Sequence, residues 1–249
     1  TDYKDALILK EKLEYEADKI DLEPITLSIS FGLATRTHLL EEIDDLLREA
    51  EDNMYHDKLH KSPSIRGKTL SAIMSALYEK SEREEKHSTR VSQLCEKTAI
   101  AMGLDSKSVN ELKMAGILHD IGKITIDLTI LEKDGPLSAE EWTMIKKHSE
   151  IGYRILSAAN DMSEIANYVL AHHERIDGKG YPKGLSGDEV PYQSKVIAIA
   201  DAYDAMMSNR LYRQAMSKEE AISELYRYSD TQFDKDIVEI FVKKVVDDD

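Results

Sequence analysis

The chain has 249 residues, 41% of them hydrophobic, enough for one large domain or for a small unit beside a medium one. Asp and Glu number 48 against 33 Lys and Arg, and the resulting net charge of −15 disfavours long polyanions, DNA and bulk RNA, as partners. A small anionic ligand stays open, because bound divalent cations reverse the local sign of the potential in a cleft.

Cys95, the single cysteine, allows no intramolecular disulfide and reads as a small buried hydrophobe. No run approaches the roughly 18 apolar residues of a membrane span, and the N-terminus does not read as a signal peptide. The expectation is a cytoplasmic chain with no membrane contact of its own. Thr1 is not Met and opens inside a helical pattern, so an upstream segment is expected.

Ala6, Leu9, Leu13 and Ala17 recur at helical spacing between Tyr3 and Ile20. After Pro24 the run from Ile25 to Leu33 alternates apolar and polar side chains as a strand would. A second helix is expected from about Leu39 to Lys58, making residues 1–60 a small α/β fragment. Residues 61–67, polar and holding Pro63 and Gly67, read as a linker. From 68 to 249 the apolar spacing is helical almost throughout, so the fold class is mainly α.

His87, His119, His148, His172 and His173 each fall within or at the end of an expected helix. A lone histidine there is usually a core or surface residue. Here a carboxylate follows His119 in Gly-Ile-Leu-His119-Asp120-Ile-Gly-Lys123, His172-His173-Glu174 repeats the pairing, and Asp201 closes the apolar run Val196–Ala200. Neighbours on a helix diverge by about 100°, so His119 could hold one metal while Asp120 reaches between two. Burying imidazoles and carboxylates together is costly unless divalent metals satisfy them.

With the string His172-His173-Glu174-Arg175-Ile176-Asp177-Gly178-Lys179-Gly180-Tyr181-Pro182, these residues resemble the HD-GYP subgroup of the HD domain phosphohydrolases, bacterial cyclic di-GMP phosphodiesterases. The resemblance covers nearly all of residues 68–249 and implies a helical HD-domain bundle. It implies that His87, His119, Asp120 and Asp201 hold one metal and that Asp120 bridges to a second held by His148, His172 and His173. The implied cofactors are two divalent ions, iron or manganese. Asp120 and Lys123 take the catalytic roles. Lys123, Arg210 and Arg213 contact the substrate, and Gly178, Gly180, Tyr181 and Pro182 shape its pocket.

Some family members hold a third metal through a Glu where this chain has Arg83, so two metals are expected, with Glu84 close enough for a shifted third site. The implied reaction is hydrolysis of cyclic di-GMP to linear pGpG, with GMP as a further product. A mixed cyclic GMP-AMP substrate, another nucleotide, or a receptor that binds without cutting remain alternatives, and the general acid is unassigned.

Asp204 reads equally as an orienting partner of a ligand or as a surface charge, and Glu174 is similarly ambiguous. Trp142, behind a Ser138 N-cap with Glu141 three residues on, is expected to pack. His38, His56 and His60 read as surface residues. Residues 27–34 and 47–58 resemble the last strand and helix of a GGDEF domain without its signature, a remnant compatible with a homodimerising element or an upstream sensory domain.

Overall fold

The computed structural model describes residues 3–18, 21–22, 25–26, 31–35, 43, 46, 50, 65–159, 162–208 and 214–247. The chain divides into two compact units, Thr1–Thr69 and Leu70–Asp249.

In the first unit α1 spans Tyr3–Asp18, and β1 (Asp21–Leu22) pairs antiparallel with β2 (Ile25–Thr26). The strand expected through Leu33 is not seen among the described residues: 31–35 have no regular structure. Alternation marks a side chain's face but supplies no partner for the ladder, and the described pairing involves two residues on each side. Of the expected second helix, Ile43, Leu46 and Ala50 are helical and the rest lies outside the described residues, as do His38, His56 and His60.

Helix α2 (Ile65–Lys80) starts inside the expected linker and carries Gly67 within it. A helical Gly costs about 1 kcal/mol relative to Ala. The buried Met74 and Leu77 further along α2 anchor the same helix.

The second unit is a helical bundle. α3 (Glu82–Ala101) lies along α4 (Ser106–Leu118), whose N-cap Asp105 accepts from the Ser108 backbone amide. A 3-10 turn (Ile121–Thr125), α5 (Leu128–Leu131) and α6 (Ala139–Lys146) lead to α7 (His148–Ser157), which packs on α8 (Ser163–Ala171) and on the 3-10 turn. α9 (Tyr192–Met207) crosses α3, and α10 (Lys218–Arg227) and α11 (Lys235–Phe241) follow.

Val91, Cys95 and Ala99 form the buried stripe of α3 at four-residue spacing and meet Leu112, Ala115 and Leu118 of α4 and Val196, Ile197 and Ala200 of α9 in one core. The expected polar residues stand one position or one turn beyond these stripes: His87 before Val91, His119 after Leu118, His172 after Ala171 and Asp201 after Ala200. The hydrophobic packing that fixes the helices therefore also fixes the base of the polar cluster.

Candidate metal centre

His119 keeps helical backbone angles (φ −55°, ψ −35°) whereas Asp120 leaves them (φ −101°, ψ 9°) to start the 3-10 turn. The two side chains therefore converge instead of diverging: His119 Nε2 lies 3.1 Å from Asp120 Oδ2. Gly122 makes the turn possible, since a Cβ there would fall 1.9 Å from the His148 carbonyl oxygen. The absent side chain lets α7 seat His148 against the turn that carries Asp120.

Two groups of donor atoms result. His87, His119 and Asp201 each offer an atom within 4.8 Å of the others, and so do His148, His172 and His173. Asp120 addresses both: Oδ2 is 3.6 Å from His87 Nε2, and Oδ1 is 3.3 Å from His148 Nε2.

The hydrogen bonds behind the rings decide which nitrogen faces inward. Nδ1 of His119, His148 and His172 lies 2.8, 2.6 and 2.5 Å from the carbonyls of Gly116, Ile145 and Val169, so each Nδ1–H donates backwards and each Nε2 presents a lone pair. His87 Nδ1 donates to Asp204 at 2.7 Å, turning its lone pair toward Asp201 Oδ1 at 3.2 Å. His148 and His172 then face one another through Nε2 at 3.3 Å, and buried His119 Nε2 has no hydrogen-bond partner. Lone pairs opposed to lone pairs and to carboxylates repel without a cation between them, and a mixed imidazole and carboxylate set suits divalent transition metals. The residues fit two such ions.

Without a metal the two groups differ in protonation. Burial pushes the pKa of His148, His172 and His173 down, the last to about 3, keeping these rings neutral as ligands must be. Burial also opposes charge on His87, but Asp120, Asp201 and Asp204 outweigh it and raise its pKa well above the ordinary value. Burial would raise Asp120 and Asp201, yet His119 and Lys123 beside the first and His87 beside the second hold both well below the usual carboxylate range.

Lys123 Nζ contacts Asp120 Oδ2 at 2.5 Å and Glu84 Oε2 at 2.9 Å. Burial disfavours its charge, and the two carboxylates more than restore it. Asp204 is buried and accepts from Arg90 as well as from His87, the orienting role rather than a surface charge.

Glu174 is also buried, and accepts from the backbone amides of Lys183, Gly184 and Leu185 at 2.6, 3.1 and 3.0 Å. It thereby ties down the loop carrying Gly178, Gly180, Tyr181 and Pro182. Gly178 turns that loop at φ +74°, and a Cβ on Gly180 would lie 2.5 Å from Arg175 N and Glu174 Cα. The close approach brings the Tyr181 ring over His173, with centroids 4.8 Å apart and planes 30° from parallel.

Above the two groups opens a cleft of about 720 Å³, lined by His87, Asp120, His148, His173, Asp201 and Lys123 together with residues of α3, α6 and α9. Trp142 is on this wall, 46% exposed, and not packed as expected. Its helix has the expected capping box, but a cap fixes where a helix starts and not what its faces meet. Arg90 and Lys146 were not singled out as site residues, and Glu84, considered for a shifted third metal site, instead accepts from Lys123 Nζ. Arg210 and Arg213 lie outside the described residues.

The HD domain family model matches residues 71–237. The chain belongs to the HD domain family. The matched residues lie in the second unit. A cyclic di-GMP phosphodiesterase of Thermotoga maritima is 34% identical over 260 residues, covering 98% of this chain and 69% of that protein. A 3'3'-cGAMP-specific phosphodiesterase of Vibrio cholerae is 35% identical over 173 residues, covering 69% of this chain and 33% of its own length. The solved structure of an HDG"Y"P protein from Bdellovibrio bacteriovorus shares the fold, with a TM-score of 0.55 and 20% identity over 83% of this chain and 73% of that one. Among the described residues no helix is long and apolar enough to cross a membrane.

Proposed function

We propose that the chain hydrolyses a cyclic dinucleotide, with cyclic di-GMP as substrate and linear pGpG as first product. The observation that carries this reading is Asp120, one carboxylate whose two oxygens address two separate donor groups at the floor of a cleft of about 720 Å³, a volume typical of small-molecule sites. The relatives named for cyclic di-GMP and cyclic GMP-AMP phosphodiesterase activity support the substrate class.

His87, His119, Asp201 and Asp120 would hold one divalent ion, and Asp120, His148, His172 and His173 the other, iron or manganese as the sequence resemblance implies. Such a pair, when bound, acidifies water and offsets charge developing on the phosphoryl oxygens. Lys123, held cationic at the cleft wall, adds positive charge toward a nonbridging oxygen. Asp204 and the three backbone carbonyls keep the imidazole lone pairs aimed inward. Tyr181 covers His173, while Gly178, Gly180 and Pro182 shape the wall that carries it. Arg210 and Arg213 are assigned to the dinucleotide on the sequence resemblance alone. Arg83 in place of a carboxylate supports two metals rather than three, with hydrolysis ending mainly at pGpG and GMP a minor product. Residues 1–60 are read as the C-terminal part of a cyclase-like domain, a site for dimerisation or for coupling to a sensory domain.

The test is anaerobic incubation of metal-replete protein with cyclic di-GMP, and in parallel with 3'3'-cGAMP, products being separated by chromatography beside an Asp120→Ala control. Linear dinucleotide from the wild type only is expected, with metal depleted from the variant. Tight binding without product would replace the enzyme by a receptor.

A further inference from the structure

Trp142 is the only tryptophan of the chain, and it is nearly half exposed, 46%, on the wall of the cleft. Exposure of a single large side chain is ordinary, so its position on the wall of the cleft is what distinguishes Trp142. Its helix is built to display it. No residue of α6 is buried; the helix is held from outside, by the Ser138–Glu141 capping box and by Lys133 Nζ, 2.6 Å from Glu141 Oε2. At its other end Ile145 also lines the cleft, and the Ile145 carbonyl accepts from His148 Nδ1. The segment that aims a ligand nitrogen at the metal floor therefore also sets the tryptophan on the wall above it.

The other aromatic ring of the cleft is already engaged. Tyr181 packs its ring on His173, and Lys146 Nζ sits 5.3 Å from its centroid. The same ammonium is 5.7 Å from the Trp142 centroid, so Lys146 spans the two rings and places a cation between them. A flat ring with open surface, beside a cation and above a phosphoryl-binding floor, matches a nucleotide: base on the ring, phosphate on the charges.

We propose that Trp142 is the stacking platform for a purine base of the substrate and determines preference for nucleotides over simple phosphodiesters, an inference that rests on the phosphodiesterase reading. Lys146 braces the indole against Tyr181 and adds charge beside the base.

A single tryptophan makes the test direct. Metal-loaded protein is titrated with the bisphosphorothioate analogue of cyclic di-GMP while its intrinsic fluorescence is followed; saturable quenching is expected. Kinetics of Trp142→Ala and Trp142→Phe are then measured on cyclic di-GMP and on methyl p-nitrophenyl phosphate, a diester without a base. Loss of one base stack weakens binding by about 5- to 150-fold. The Ala variant should lower the ratio of kcat/KM for cyclic di-GMP to that for the simple diester by this factor, mainly through KM, and the Phe variant should recover most of it. A wild type that turns over cyclic di-GMP, an Ala variant that keeps the ratio within about twofold and an unresponsive fluorescence would together overturn the inference. A wild type without turnover counts against the phosphodiesterase reading instead, and the titration then decides the role of Trp142 alone, a flat signal sinking it.

Discussion

Glu174 shows how a buried charge can be structural in a site full of chemistry. Its Oε1 accepts from the amides of Lys183 and Gly184, and its Oε2 from that of Leu185. Glu174→Ala removes all three acceptors and leaves a small cavity. Each hydrogen bond to a charged group contributes about 1.5–3 kcal/mol, but Lys183 and Gly184 are exposed, so water can replace part of what is lost. A total near 2–4 kcal/mol is the reasoned figure, or roughly 5–15 °C in Tm for a unit of this size. Glu174→Gln is the finer probe. Its one oxygen can serve Lys183 and Gly184, but its amide nitrogen meets the Leu185 N–H donor to donor, costing about 1–2 kcal/mol. Urea unfolding of metal-loaded protein measures both. The loop should loosen with the stability, uncovering His173 and lowering kcat/KM. A Gln variant as stable as the wild type, with unaltered kinetics, would refute the claim that these three bonds hold the loop.

Gly122→Ala places a methyl group 1.9 Å from the His148 carbonyl, an overlap only backbone movement can relieve; metal content should fall and Tm should drop, whereas wild-type metal content would show that α7 does not depend on this contact. Asp204→Asn weakens the anionic acceptor behind His87 and should lower metal affinity about 10- to 100-fold, as changes behind metal-bound histidines generally do, read by competition with a chelator; unchanged affinity would show that Asp204 does not tune His87 for a metal. In metal-free protein the depressed pKa values of His148, His172 and His173 mean that below about pH 6.5 the unfolded chain takes up protons the folded one refuses, so stability falls with pH. His87, raised, acts oppositely: its contribution is present below that pH and lost as the pH rises through its folded value. Three lowered groups against one raised set the net direction, so the urea midpoint of chelated protein should be lower at pH 5 than at pH 7, and the reverse order would contradict it.

Sequence reasoning reached furthest where chemistry is written in adjacent residues. His119-Asp120 and His172-His173 are visible as pairs, and helical periodicity placed them at the ends of apolar stripes. Two things were not legible. One is direction: a divergence of about 100° was expected of His119 and Asp120, and the backbone leaves helical angles at Asp120, where Gly122 admits α7, so the two side chains converge. The other is what a polar side chain meets across the fold. Lys123 reads as a substrate contact in isolation, but the partner that holds its charge with Asp120 is Glu84, 39 positions earlier. The strand expected to Leu33 shows the same limit from the other side, since alternation carries no information on whether a neighbouring strand is within reach.

The two donor groups are not equivalent, and the difference follows from what stands behind each ring. His148 and His172 are backed by neutral backbone carbonyls, and the carboxylate nearest His148 in their group of three imidazoles is Asp120. His87 is backed by the carboxylate of Asp204, and its group contains Asp201 as well, with Arg90 and Lys123 placed against the surplus. A cation in the first group would therefore be held mainly by donor lone pairs and one in the second mainly by charge, with Asp120 facing both. Such asymmetry is useful for displacement at phosphorus, where the attacking and leaving oxygens need different degrees of stabilisation along the same line. The fold sets this up by drawing one group from the end of α4, the start of α3 and the middle of α9, and the other from the start of α7 and the end of α8, with Asp120 in the turn after α4 facing both.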